Sequence, residues 1–139
     1  MCLFCRIVAG DLPAYKVYED EFTLAFLDIA PVNPGHTLVI LKKHIENIEE
    51  ASEEDLCHLI KTVKKVGNAI KTRLKVSGYN AQINNDPVAG QVIPHIHVHV
   101  IPRIKGDGHT LWVQGKYEEG EAEDIANKIK IPMKLKSSN

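Results

Sequence analysis

The sequence predicts an α+β domain: a mostly antiparallel sheet of about five strands, with one long helix and one short helix packed on one face. Three observations predict it. The stretch Pro94-His95-Ile96-His97-Val98-His99-Val100-Ile101-Pro102-Arg103 alternates with the period of two that places successive side chains on opposite faces of a strand. His36-Thr37-Leu38-Val39-Ile40-Leu41 is an unbroken apolar run, the pattern of a central strand. Leu56, Leu59, Ile60, Val63, Val66, Ile70 and Leu74 recur at spacings of three and four, the stripe of an amphipathic helix.

In chain order, residues 4–9 open a short helix that Gly10-Asp11-Leu12-Pro13 ends. Residues 15–18 and 22–27 read as two strands joined through the polar turn Glu19-Asp20-Glu21, a hairpin. Two prolines and a glycine make 28–35 a loop before the apolar strand at 36–41. Ser52 with Asp55 three residues on is close to a capping box and starts the long helix. Its other face carries Lys61, Lys64, Lys65 and Lys71, read as a solvated surface. Residues 79–84 form the next strand, and Asn85-Asp86-Pro87-Val88-Ala89-Gly90 turns the chain into the histidine strand, with prolines at both its ends. Beyond it, Leu111-Trp112-Val113 is a candidate short strand. Residues 121–131 form a last amphipathic helix through Ile125 and Ile129, stopped by Pro132, and 134–139 fray.

The 139 residues suffice for one domain, taken as 1–139 with its core at about 2–103 and a less patterned segment at 104–139. With 44% hydrophobic and 25% charged residues the composition is that of a soluble globular chain. A net charge of −1 supplies no global field for nucleic acid or an anionic membrane, so neither is an expected partner. No apolar run approaches the roughly 20 residues of a membrane span. Met1-Cys2-Leu3-Phe4-Cys5-Arg6 does not read as a secretion signal, so the expected compartment is the cytosol, with the nucleus left open. Three cysteines in such a chain argue against a disulfide framework. Cys2 and Cys5 form a C-x-x-C pair, the usual half of a zinc site, and Cys57, in a helical pattern, reads as a plain buried or half-buried thiol.

The chemistry concentrates in the histidine strand. His95, His97 and His99 share one face at a spacing of about 6.5–7 Å. Crowded imidazoles cannot all be charged cheaply, so some stay neutral, as nucleophile or metal ligand. A metal site or an inert polar face is the plain alternative. Gln91 and Arg103, which flank the row, suggest an anion site built around a nucleophile.

Five blocks in order resemble the histidine triad (HIT) superfamily of nucleotide hydrolases and transferases. They are Cys2-x-x-Cys5, Phe26-Leu27-Asp28-Ile29-Ala30-Pro31, Asn33-Pro34-Gly35-His36, Lys42-Lys43-His44, and Gly90-Gln91-Val92-Ile93-Pro94-His95-Ile96-His97-Val98-His99. The likeness covers about residues 2–103. Length and Asn84 are most similar to the Hint branch, whose members cleave adenosine phosphoramidates and related adenylates. The C-x-x-C start is similar to its zinc-containing form.

The resemblance implies a purine-nucleotide substrate, AMP as product, no organic cofactor, and a homodimer in which the strand at 79–84 could pair across a twofold axis. It implies that His97 attacks the α-phosphate to give a nucleotidyl-histidine, with its other ring nitrogen held by a carbonyl, that of His95. His99 would bind phosphate oxygen or help protonate the leaving group. Asn84, Gln91 and the backbone at Gly90 and Val92 would meet phosphate. His36 would support the row, or is a satisfied core histidine. Asp28 would take the ribose hydroxyls, or is a turn residue. Leu3, Phe4, Phe26 and Ile29 would sandwich the base, or are simple core. Cys2, Cys5, His44 and His95 would hold a structural zinc, against free thiols as the alternative. One departure stands out: many members carry Ser or Thr where this chain has Val92, so no hydroxyl reaches phosphate from there. A dinucleoside polyphosphate hydrolase, or a nucleotide-binding module with incidental catalysis, are the competing expectations.

Overall fold

The computed structural model describes residues 1–134; the last five residues of the expected 134–139 tail lie outside them. The chain divides into two compact units, 1–107 and 108–139.

The first unit contains α1 (Leu3–Val8), β1 (Lys16–Glu19), β2 (Thr23–Leu27), β3 (Thr37–Leu41), α2 (Glu53–Arg73), β4 (Gly78–Ile83) and β5 (His97–Arg103). The strands form one five-stranded sheet in the order β1-β2-β3-β5-β4, every neighbouring pair antiparallel. Asp20 makes the β1–β2 turn by accepting the N–H groups of Phe22 and Thr23 at 2.9 and 2.7 Å. The crossover through α2 and β4 inserts β5 between β3 and β4, so the histidine strand lies one strand in from the edge.

Strand parity sorts the core. Ala25, Val39, Leu41, Val98 and Val100 face α2 and pack on Leu59, Val63, Val66 and Ile70. The alternate residues Leu24, Phe26, Leu38 and Ile40 face the other way and pack on Phe4 and Ile7 of α1. The helices therefore do not share one face, as the sequence suggested: α1 covers the side opposite α2. The reason is that β2 and β3 are apolar at every position after their first threonines, on both parities, which demands cover on both sides.

The capping box at Ser52 and Asp55 forms in both directions. In α2 the stripe is shifted from the expected one. Ile60 and Leu74 are exposed, and so is Cys57, against the expectation of a buried or half-buried thiol, whereas Thr62 and Gly67 are buried. Thr62 shares a 2.7 Å hydroxyl contact with Thr23. The Tyr79 ring lies where a side chain at 67 would stand, 2.3 Å from its Cβ position. Pro102 lies inside β5, not at its boundary. β3 ends at the Thr37–Val100 pair, so a missing N–H at 102 leaves no ladder bond unmade on that side.

The second unit is, among its described residues, one helix, α3 (Glu121–Ile129), with none of its residues buried. Residues 111–113 form no strand. No described helix is long and apolar enough to cross a membrane.

Candidate active site

β5 begins at His97, so His95 precedes the strand and only His97 and His99 are held in its ladder, opposite Ile40 and Leu38. Both point to the α1 side. There they join the wall of a cavity of about 510 Å³, within the range of small-molecule sites. Leu3, Phe4, Phe26, Asp28, Ile29, Gly90 and Val92, all singled out from the sequence, share that wall. Phe4 stacks edge-on against both Phe26 and His97, at ring separations of 5.5 and 5.1 Å. Ile7, Leu12, Pro13 and Ala14, which no motif marked, also line it, as does Ile93, to which no role was given.

Backbone partners fix the protons on three imidazoles and, through one of them, on a fourth. A carbonyl only accepts, so the ring nitrogen facing it carries hydrogen; a backbone N–H only donates, so the nitrogen facing it offers a lone pair. His97 Nδ1–H donates to the His95 carbonyl at 2.7 Å, which leaves Nε2 with its lone pair. His95 Nε2–H donates to the Leu41 carbonyl at 2.6 Å, which leaves Nδ1 as the free donor atom. His36 Nδ1 accepts from Val32 N–H at 3.1 Å, so its Nε2–H donates to His99 Nδ1 at 3.0 Å. His99 in turn must carry its own hydrogen on Nε2. Burial lowers the pKa of His36, His95 and His97, and holds His99 down to about 4 with help from the neighbouring His97 and His36. All four rings are therefore neutral at pH 7.

His95 leads into a second cluster. Its Nδ1 lies 3.4 Å from Cys2 Sγ, 3.6 Å from Cys5 Sγ and 3.3 Å from His44 Nδ1. Cys2 Sγ and Cys5 Sγ are 3.2 Å apart, and His44 Nδ1 stands 3.6 and 3.3 Å from them. A tetrahedral zinc with bonds of about 2.0–2.3 Å spaces its ligands by about 3.3–3.8 Å. Five of the six separations fall in that range and the sulfur pair lies just short of it, so the donor set and its spacing suit that ion. Cys2 is also the N-cap of α1, its sulfur accepting the Cys5 N–H at 3.3 Å. Asp28, His36 and His99 also cluster. The His36 proton on Nε2 leaves no lone pair there, so this second group is a hydrogen-bonded chain rather than a metal site.

Three sequence-selected residues stand elsewhere. The Gln91 amide donates to the Glu46 carbonyl at 2.6 Å and its oxygen accepts the Asp86 N–H at 2.8 Å, so it braces the 86–91 turn and does not line the cavity. Asn84 does not line it either; its amide nitrogen lies 3.4 Å from where a Cβ on Gly90 would be. Gly90 adopts φ +95°, open to glycine at little cost. Arg103 forms no anion site: Asp107 grips it through Nε at 2.7 Å and Nη2 at 3.1 Å, and Asn80 accepts from Nη1 at 2.8 Å. Asp28 accepts the Ala30 N–H on one oxygen and keeps the other 3.7 Å from His36 Nε2.

Residues 9–106 match the HIT domain family. An uncharacterised HIT-like protein of Methanocaldococcus jannaschii is 47% identical over 130 residues, 94% of this chain and 99% of its own length. The adenosine 5'-monophosphoramidase of Schizosaccharomyces pombe is 44% identical over 102 residues, 73% of this chain and 74% of its own. A HIT family crystal structure from Bacillus subtilis superposes with a TM-score of 0.85 at 44% identity, covering 92% of this chain and 94% of that one. A zinc-bound histidine triad protein of Mycobacterium smegmatis superposes with a TM-score of 0.76 at 38% identity, covering 87% and 88%.

Proposed function

The chain belongs to the HIT family, and from that premise we propose that it hydrolyses adenosine 5'-phosphoramidates or related adenylates to AMP through a nucleotidyl-His97 intermediate. The observation that carries the reading is the His97 ring: neutral, with Nδ1–H held by a carbonyl and the Nε2 lone pair beside the cavity. Nε2 attacks the α-phosphorus, the P–N bond breaks with its electron pair going to nitrogen, and the amine takes a proton from solvent water as it departs. The phosphorylated ring is then cationic, and the 2.7 Å bond to the His95 carbonyl stabilises that charge. Water attacks the phosphorus and gives up a proton to solvent, the bond to Nε2 breaks with its electron pair returning to the ring, AMP leaves and His97 is neutral again.

His99 supports the phosphate rather than the leaving group. A neutral imidazole is a weak acid but a good donor, so its Nε2–H stabilises a phosphate oxygen as charge builds. The apolar walls from Leu3, Phe4, Phe26 and Ile29 take the base, and the Asp28 carboxylate takes ribose hydroxyls. The Cys2, Cys5, His44 and His95 set would hold a zinc whose part is structural, tying α1 to the segment that carries the nucleophile's carbonyl partner. The homodimer and the cytosolic setting belong to the same reading; β4, an edge strand, is free for pairing with a second copy.

The test is turnover of adenosine 5'-phosphoramidate by the wild type and by His97→Ala. The reading expects release of AMP by the wild type and a loss of about 10³-fold or more in the variant. Equal rates in both would contradict it.

A further inference from the structure

We propose that Asn33 is a positioning residue of this site: it sets the tautomer of His36 and so the direction in which His99 presents its proton. The inference rests on the reaction assigned above, but its geometry stands apart from it. Asn33 does not line the cavity. Its Nδ2 has two hydrogens and both are used, one on the Pro102 carbonyl at 2.9 Å and one on Asp107 Oδ2 at 3.1 Å. The first bond takes the ladder position that opens where β3 stops short of Pro102. The second joins the loop to the carboxylate that clamps Arg103 at the end of β5. Asn33 thereby pins the 31–36 loop to β5, the strand that carries His97 and His99.

What the pinned loop delivers is two hydrogen bonds with His36 at once, one donated by its backbone and one accepted by its ring. The Asn33 carbonyl accepts the His36 N–H at 3.0 Å, and the neighbouring Val32 N–H reaches His36 Nδ1 at 3.1 Å. That second bond forbids a proton on Nδ1 and places it on Nε2, 3.0 Å from His99 Nδ1. Were the loop to relax, His36 could protonate Nδ1. His99 would then lose its donor and could turn its own proton inward, away from phosphate. Gly35 shows how closely the loop is seated: a Cβ there would come within 2.5 Å of Leu74 Cδ1 and 3.2 Å of Pro102 Cγ.

The experiment pairs ¹⁵N tautomer spectroscopy of the histidine rings with steady-state kinetics on adenosine 5'-phosphoramidate. The proteins are the wild type, Asn33→Ala, Asn33→Ser, and Thr62→Val as a destabilised control away from the site. The wild type is expected to show His36 and His99 both protonated on Nε2. Asn33→Ala is expected to mix the His36 tautomers and lower kcat roughly tenfold, with KM changed by less than about threefold. Asn33→Ser, which keeps one donor hydrogen, falls between and serves if the alanine variant does not fold. Thr62→Val lowers the melting temperature without moving either readout. A wild-type His36 protonated on Nδ1, tautomers unmoved in the Asn33 variants, an unchanged kcat, or the same changes in Thr62→Val would each overturn the proposal. A wild type without turnover removes the assigned reaction, and the tautomer spectra still decide the role of Asn33.

Discussion

Two histidines flank His97, two positions away on either side, and the structure puts them to opposite uses. His95 is fully buried, gives its Nε2–H to the Leu41 carbonyl and turns Nδ1 to two thiols and a third imidazole. His99 is half-buried, receives a hydrogen bond on Nδ1 from His36 and turns Nε2–H toward the cavity. The side chains are identical, and strand spacing alone would make them equivalent. The difference lies in what holds the inner nitrogen. A carbonyl makes the outer nitrogen a Lewis base; a donated hydrogen bond makes it a proton donor. His97 between them is of the first kind, and its lone pair meets the cavity instead of the cluster of thiols and His44.

The comparison can be broken at either corner. His95→Ala should do the most damage, because it removes a proposed metal ligand, a buried hydrogen bond and core volume together. The expected cost is about 3–5 kcal/mol of stability, read from denaturant unfolding. Chelation of the wild type should move the melting temperature the same way, whereas the chelator should do nothing further to His95→Ala. If both proteins respond equally, the ligand role is wrong. His99→Ala should lose about 10²-fold in kcat, the usual worth of one donor to developing charge, with the melting temperature nearly unchanged. A loss of stability with kcat intact would make His99 a structural residue like His95.

Acid gives a smaller and more diagnostic effect. Folded His99 titrates at about 4, whereas an unfolded histidine titrates near about 6.5. Above the unfolded value neither state holds the proton and His99 has no influence. As pH falls between the two, the unfolded chain takes up a proton that the folded chain refuses, so stability declines and then levels off below about 4. In His99→Ala the decline over that window should be shallower, as measured by unfolding at a series of pH values. An identical pH dependence would show that His99 titrates normally in the folded protein.

Much of this was legible in the chain. The alternation around His97 and the apolar run at 36–41 specified two central strands, and the three-four spacing after Ser52 specified α2, because burial on a regular element leaves a period. The Cys2 and Cys5 pair, with His44 and His95, was legible through the family resemblance, and the cavity residues Phe4, Phe26 and Asp28 likewise. The role of Gln91 was not: an amide beside a glycine reads as a phosphate donor, but the carbonyl of Glu46, distant in sequence, claims it first. Arg103 failed for the same reason, since Asp107 four residues on satisfies it. The backbone contacts that fix the tautomers, from Leu41 and Val32, leave no trace in side-chain identity at all. Ile60 was misplaced because the stripe on α2 has Thr62 inside, and a threonine that pairs with Thr23 reads as polar in any hydropathy pattern.

The most direct test of the central claim is rapid mixing of the wild type with adenosine 5'-phosphoramidate, quenched in base and read by intact-protein and peptide mass spectrometry. The account predicts a transient adenylyl adduct on the peptide bearing His97, formed and lost at rates compatible with turnover. Turnover without any adduct, or an adduct on His95 or His99, would contradict it.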